Sequence, residues 1–171
     1  MESKRASSYH LAQVNIGRVL APLSDPLMAG FVEKLDEVNA LADASPGFIW
    51  RLQTPEGNAT AVRPYDDDAI LVNMSVWASL EALDHFVYAL ESEHRQVMKQ
   101  RRSWFERFDG PYLALWWVPE GHIPTVEEAK ARLESLRLSG ETAFAFSFKH
   151  PFPAPNTGDE ALPPFLEERS A

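Results

Sequence analysis

Two adjacent tryptophans, Trp116 and Trp117, sit inside the segment Tyr112 to Val118, which is apolar or aromatic at every position. Successive side chains of a strand point to opposite faces, so this segment reads as a strand that needs apolar cover on both sides. The segment Ala69 to Trp77 makes a similar demand, with Ile70, Val72, Met74 and Val76 on one side and Leu71, Asn73, Ser75 and Trp77 on the other. Ala143 to Phe148 reads as a further such strand. The chain must therefore build a sheet covered on two faces, and its 171 residues suffice for one domain with a full core. If all helices lie on one face, the other is left as an apolar patch that soluble monomers rarely tolerate. A second copy of the chain is the expected cover, which predicts a homodimer; the alternative is the Pro-rich C-terminal tail folding back over the sheet, alone or together with a partner.

The remaining elements follow from periodicity and capping. Tyr9 to Gly17 alternates Ala12, Val14 and Ile16 with Leu11, Gln13 and Asn15, the pattern of a first strand. Asp25-Pro26 supplies an N-cap and a proline at the first helical position, and Leu27, Phe31, Leu35, Val38 and Leu41 follow at helical steps until Ser45-Pro46-Gly47. Phe48 to Gln53 reads as the second strand, with Phe48, Trp50 and Leu52 on one face. Ser79 caps a second helix whose stripe, Leu80, Leu83, Phe86, Val87 and Leu90, stays in phase through His94, Val97, Met98, Arg101, Phe105 and Phe108. Unbroken, that helix would run about 42 Å at 1.5 Å per residue, so a break is expected at Glu91-Ser92-Glu93, with Ser92 capping the second piece. Thr125 with Glu128 is a capping-box signature for a third helix ending near Gly140.

The order β-α-β-β-α(α)-β-α-β opens with the six elements of the ferredoxin-like split βαβ pattern. The expected fold class is therefore α+β, a ferredoxin-like antiparallel sheet with helices on one face plus an extra helix and strand. Residues 1–8 are expected as a flexible N-terminus, 9–149 as the domain, and 150–171, with prolines at 151, 153, 155, 163 and 164, as an extended or disordered tail.

Composition removes several function classes. Asp and Glu number 25 against 16 Lys and Arg, a net charge of −9 that repels nucleic-acid backbones and acidic membranes. There is no cysteine, hence no disulfide, thiolate nucleophile or Cys-held metal. The N-terminal MESKRASSYH lacks an apolar signal region, and no stretch approaches the ~20 apolar residues of a membrane helix, so a cytoplasmic protein is expected. No metal-spaced cluster, nucleophile elbow, phosphate loop or dinucleotide fingerprint is present.

Several segments carry a family resemblance: Leu11-Ala12-Gln13-Val14-Asn15-Ile16-Gly17-Arg18, Trp77 through Phe86-Val87-Tyr88 to His94, Arg102-Ser103-Trp104-Phe105, Leu115-Trp116-Trp117-Val118-Pro119, Gly121-His122-Ile123-Pro124-Thr125 and Ala145-Phe146-Ser147-Phe148. Over about residues 9 to 150 the chain resembles a bacterial family of uncharacterised function that is similar to the antibiotic-biosynthesis monooxygenases, in the dimeric α/β-barrel superfamily. That superfamily includes cofactor-free oxygenases of polycyclic aromatic substrates and haem-degrading monooxygenases, which use an Asn on the first strand, a Trp ending a later strand and a His on the following helix. Asn15 and Trp77 match in type and element. His94 matches in type but lies further from the Trp than the pattern implies, and His85 competes for the role.

Read from the residues alone, His94 falls on the apolar stripe between Leu90 and Val97, placing an imidazole inward as a base, an iron ligand or a packed core group. Arg101, two turns on, needs an anionic partner, either an internal carboxylate or a substrate. Asn15 holds a substrate carbonyl or a neighbouring backbone group. Trp77, Trp104, Trp116 and Trp117 line a pocket for a flat ligand or fill the core. Asn15, Trp77 and His94 are thus the candidate catalytic residues, and Arg101, Trp104 and Trp117 the candidate substrate-binding ones. Three readings remain: an oxygenase-like enzyme working without a cofactor on a small aromatic or polyketide-like substrate between helices and sheet; a non-catalytic dimer binding a small apolar or aromatic ligand or serving as an interaction module; and a haem-binding or haem-degrading monooxygenase with His94 as ligand.

Overall fold

The alternating segment at the N-terminus forms β1 (Tyr9–Arg18), which lies inside a four-stranded antiparallel sheet with β2 (Phe48–Arg51), β3 (Ile70–Trp77) and β4 (Leu113–Pro119) in the order β2-β3-β1-β4. That is the ferredoxin-like order. A computed structural model describes residues 8–93 and 95–155. Asn15 on β1 stands opposite Asn73 on β3 and Leu113 on β4, a register that fixes which side chains share a face.

Local chemistry sets the helix starts. The Asp25 carboxylate accepts from Leu27 N–H at 2.9 Å and opens a 3-10 turn, Pro26–Met28, that leads into α1 (Ala29–Ala44). The extra turn rotates the stripe, so Met28 is buried while Leu27, expected inside, is half exposed. Ser79 Oγ accepts from Ala82 N–H at 3.1 Å at the start of α2 (Leu80–Glu93). Glu91, Ser92 and Glu93 are all helical within α2, so the break expected at these three residues does not fall there and Ser92 does not cap a second piece; Arg95–Trp104 form α3, and residue 94 between the two lies outside the described residues. The helix stops at Trp104 because Phe105 leaves it to bridge Val19. Gly17 permits this, since a Cβ there would lie 2.6 Å from the Phe105 ring.

Helices α1, α2 and α3 cover one face of the sheet, where Leu11, Trp77, Leu115, Ala42 and Leu83 form a buried cluster. The opposite face was expected to need a second chain. Instead α4 (Val126–Ser139) crosses it, burying Ala129, Leu133 and Leu136 against Val14, Val72, Met74 and Trp116. The chain leaves edge strand β4 through a turn with Gly121 at φ 88°, which re-aims it to that side. Thr125 Oγ1 caps α4 from Glu128 N–H at 3.1 Å, and the Glu128 carboxylate pairs with His122 at 2.9 Å. Arg132 of α4 lies 3.7 Å over the Phe144 ring and donates to the Phe144 carbonyl at 3.0 Å, and its burial holds its pKa below the usual guanidinium range.

Two further expectations are corrected. Phe48, Trp50 and Leu52 do not share a face: a β-bulge between Phe48 and Trp50 sends Phe48 to Trp77 on the α1–α3 side and leaves Trp50 and Leu52 on the α4 side. Ala143 to Phe148 does not form a fifth strand but makes a single bridge, Leu115 with Phe146, because the Glu141 carboxylate takes the Ser147 N–H and Oγ–H at 2.6 Å each and folds the segment locally. The tail as far as Pro155 has no regular structure; Phe152 packs 5.7 Å from Phe146 between ring centroids, and its carbonyl accepts from Trp117 Nε1 at 2.9 Å.

Candidate functional site

The two faces of the sheet differ in how well they are filled. Under α4 the void beside Tyr65 and Leu133 is about 10 Å³, a packed core. Between the sheet and α1–α3 lies a cavity of about 430 Å³, within the range of roughly 300–1,000 Å³ typical of small-molecule sites.

Its floor is the centre of the sheet. At the register positions where β1 and β3 pair, both strands place polar side chains toward the helices: Gln13 opposite Ser75 and Asn15 opposite Asn73. Gln13 Nε2 donates to Asn73 Oδ1 at 2.6 Å and to Ser75 Oγ at 2.8 Å. Asn15 Nδ2 donates to Gln13 Oε1 at 3.1 Å and to Asn73 Oδ1 at 3.2 Å. Trp77 Nε1 donates to Ser75 Oγ at 2.9 Å. This ladder uses both amide protons of Gln13 and of Asn15, and leaves Asn15 Oδ1 and Asn73 Nδ2 with no partner among the described residues. Asn73 is exposed although it sits on a central strand between buried Leu71 and Ser75, so its exposure is to the cavity. An acceptor and a two-proton donor thus stand side by side over an apolar chamber, an arrangement suited to a ligand carbonyl or hydroxyl.

The walls are aromatic. Trp77 stacks on Phe86 with centroids 5.0 Å apart and meets Phe48 edge-on at 5.4 Å, while Trp104 and Phe31 lie 5.9 Å apart at the other end. Phe148, from the segment beyond α4, adds to the lining. Such faces suit a flat apolar ligand.

The structure brings four of the sequence-derived candidates to this cavity: Asn15, Trp77, Arg101 and Trp104. Asn15 bonds side chains rather than the backbone. Arg101 meets no carboxylate within 4 Å among the described residues; its guanidinium lies 5.8 Å from the Phe105 ring and 5.2 Å from the Tyr112 ring. Trp117 is outside the cavity, its indole engaged by the tail. His94 lies outside the described residues, and His85 is exposed on α2. Gln13, Asn73 and Ser75 do not stand out in the sequence as site residues. The signal that marks them is polar side chains at alternate positions on one face of two strands otherwise rich in apolar residues.

Haem fits these surroundings poorly. The described lining offers no imidazole, thiolate or thioether to serve as axial ligand, and its tyrosine, Tyr112, has the Arg101 guanidinium 5.2 Å from its ring. The imidazole that the haem reading names, His94, lies outside the described residues.

Fold and site together define a ferredoxin-like α+β protein with a ligand-sized chamber between its sheet and helices, floored by an amide ladder. The chain belongs to the family described as Domain of unknown function (DUF3291), which matches residues 10–161. No curated protein matches it. Among solved structures it is similar to a point mutant of SnoaB, a cofactor-independent oxygenase from Streptomyces nogalater, at 15% identity and a TM-score of 0.44, covering 67% of this chain and 95% of that one. No helix of the described residues is long and apolar enough to cross a membrane.

Proposed function

We propose that this protein is an oxygenase-like enzyme that acts without a cofactor on a small aromatic or polyketide-like substrate held between the sheet and α1–α3. The observation that carries the reading is the amide ladder beneath the aromatic chamber. An electron-rich phenol or enol reacts with dioxygen through its anion, and hydrogen-bond donors aimed at the oxygen where that charge develops lower the barrier. Asn73 Nδ2 donates to such an oxygen, Asn15 Oδ1 accepts a ligand hydroxyl, and Trp104 and Phe86, the latter backed by the buried Trp77, flank the ring. Oxidation of an activated CH₂ to C=O consumes one O₂ and releases one water, with all four electrons drawn from the substrate.

Anthrone is a suitable probe. Protein-dependent O₂ uptake at one equivalent per anthrone, with anthraquinone as product, is the expected result. Anthrone that binds in the chamber without accelerated uptake, across related electron-rich polycycles, would favour the second reading, a non-catalytic binder of small aromatic molecules. That reading draws on the neutrality of the floor, where neither the amides nor the Ser75 hydroxyl titrates near pH 7.

A homodimer in the cytoplasm is part of this proposal, although α4 already covers the second face of the sheet. Its support is the large apolar side chains left exposed, among them Leu138 of α4 at 78% and Tyr88 of α2 at 69%. Light scattering at micromolar concentration should give twice the 19.3 kDa chain mass; a monomer mass there would remove the dimer.

A further inference from the structure

We propose that the chamber has an anion subsite at Arg101, and that its ligand is an aromatic acid whose carboxylate binds there while a ring hydroxyl or carbonyl meets the amide ladder. This deepens the proposed function and rests on it. The other cations lining the cavity are matched within the fold: Arg51 Nε lies 2.7 Å from Asp43, and Lys34 lies 3.3 Å from Glu37. Arg101 is the exception among the described residues. Its guanidinium rests near two ring faces, contacts that hold the group in place and leave its N–H edges available. Glu91, a carboxylate in the described lining, is exposed and does not pair with Arg101 within 4 Å, so the guanidinium is an incomplete ion pair that a ligand anion completes.

The surroundings point the same way. In a chain of net charge −9, α3 carries Arg95, Lys99, Arg101 and Arg102 and no acidic residue. Arg95, Lys99 and Arg102 are exposed, so the positive potential extends to the outside of the wall from which Arg101 enters the cavity. Position along the floor fits a single ligand. Phe105 and Tyr112 flank Arg101 at the end of the cavity lined by Gly17 and Leu113, and Leu113 is the register partner of Asn15. A planar acid reaching from Arg101 along β1 therefore lays its ring over Asn15 and Asn73.

The test compares 1-hydroxy-2-naphthoate with its uncharged isostere 1-hydroxy-2-naphthamide by titration calorimetry on the full chain. The acid should bind at least roughly 10-fold more tightly, since hydrogen bonds to charged groups contribute about 1.5–3 kcal/mol. Arg101→Gln should bring the acid down to the affinity of the amide and leave the amide within about twofold, while Arg101→Lys, which keeps the charge, retains part of the preference. Arg102→Gln, an exposed neighbour on the same helix, should change neither. Equal binding of acid and amide by the parent, or a preference that survives Arg101→Gln, overturns the subsite while leaving the chamber as a binding site. A preference lost equally in Arg102→Gln assigns it to diffuse charge and also overturns it. Failure of both compounds to bind overturns the chamber reading itself, and this proposal with it.

Discussion

Trp77→Ala should lower the melting temperature by about 6–20 °C. The side chain is fully buried, stacked on Phe86, edge-on to Phe48 and bonded to Ser75 Oγ. Truncating a buried tryptophan to alanine costs roughly 3–5 kcal/mol, and a domain of this size loses about 2–4 °C per kcal/mol. The loss has two sources: the apolar and dispersion contacts of the indole, and one of the two donors that Ser75 Oγ accepts. Trp77→Phe separates them, because it keeps a ring against Phe86 and removes the N–H. It should cost well under half as much. A Trp77→Ala variant melting within about 2 °C of the parent would mean that this wall of the chamber is not packed as described.

Asn73→Ala is expected to act on turnover rather than on stability. Its Nδ2 has no partner among the described residues and the side chain is exposed to the cavity, so solvent can replace the bonds its Oδ1 accepts from Gln13 and Asn15. Removing a donor aimed at a developing oxyanion lowers kcat on the order of 10²-fold, whereas the melting temperature should move by only a few degrees. Gln13→Ala should behave the other way round. Gln13 is 5% exposed and donates both amide protons inside the ladder, so its loss strands buried groups at a cost of roughly 1–3 kcal/mol. The paired measurement is thermal melting beside oxygen uptake with the same substrate. An Asn73→Ala enzyme with parental kcat would remove the ladder from the chemistry and leave it a structural network.

The contrast between Asn73 and Asn15 also marks how far the chain can be read by eye. Asn15 stands out as a polar side chain in an apolar alternation near the N-terminus. Asn73 is the same kind of residue in the same kind of strand, yet it lies 58 positions away, and its importance comes from standing opposite Asn15. Register between distant strands is not written in either strand's own pattern. Likewise Arg101 is recognisable as an inward cation, but the absence of a carboxylate near it among the described residues, which gives it a prospective role, depends on how α1, α3 and β4 come together.

What the sequence by itself determined was local. Alternation made β1, β3 and β4 legible, and Asp25, Ser79 and Thr125 marked helix starts through side-chain bonds that span two or three residues. Tertiary structure decided the rest: the bulge that parts Phe48 from Trp50, the single Leu115 to Phe146 bridge in place of a fifth strand, and the passage of α4 across the face that called for a second chain. An apolar face states only that it must be covered. Which segment covers it depends on the direction in which the chain leaves edge strand β4, and on whether Ala129, Leu133 and Leu136 fit between Val14 and Trp116 better than anything else within reach, because burial is non-directional while packing is not.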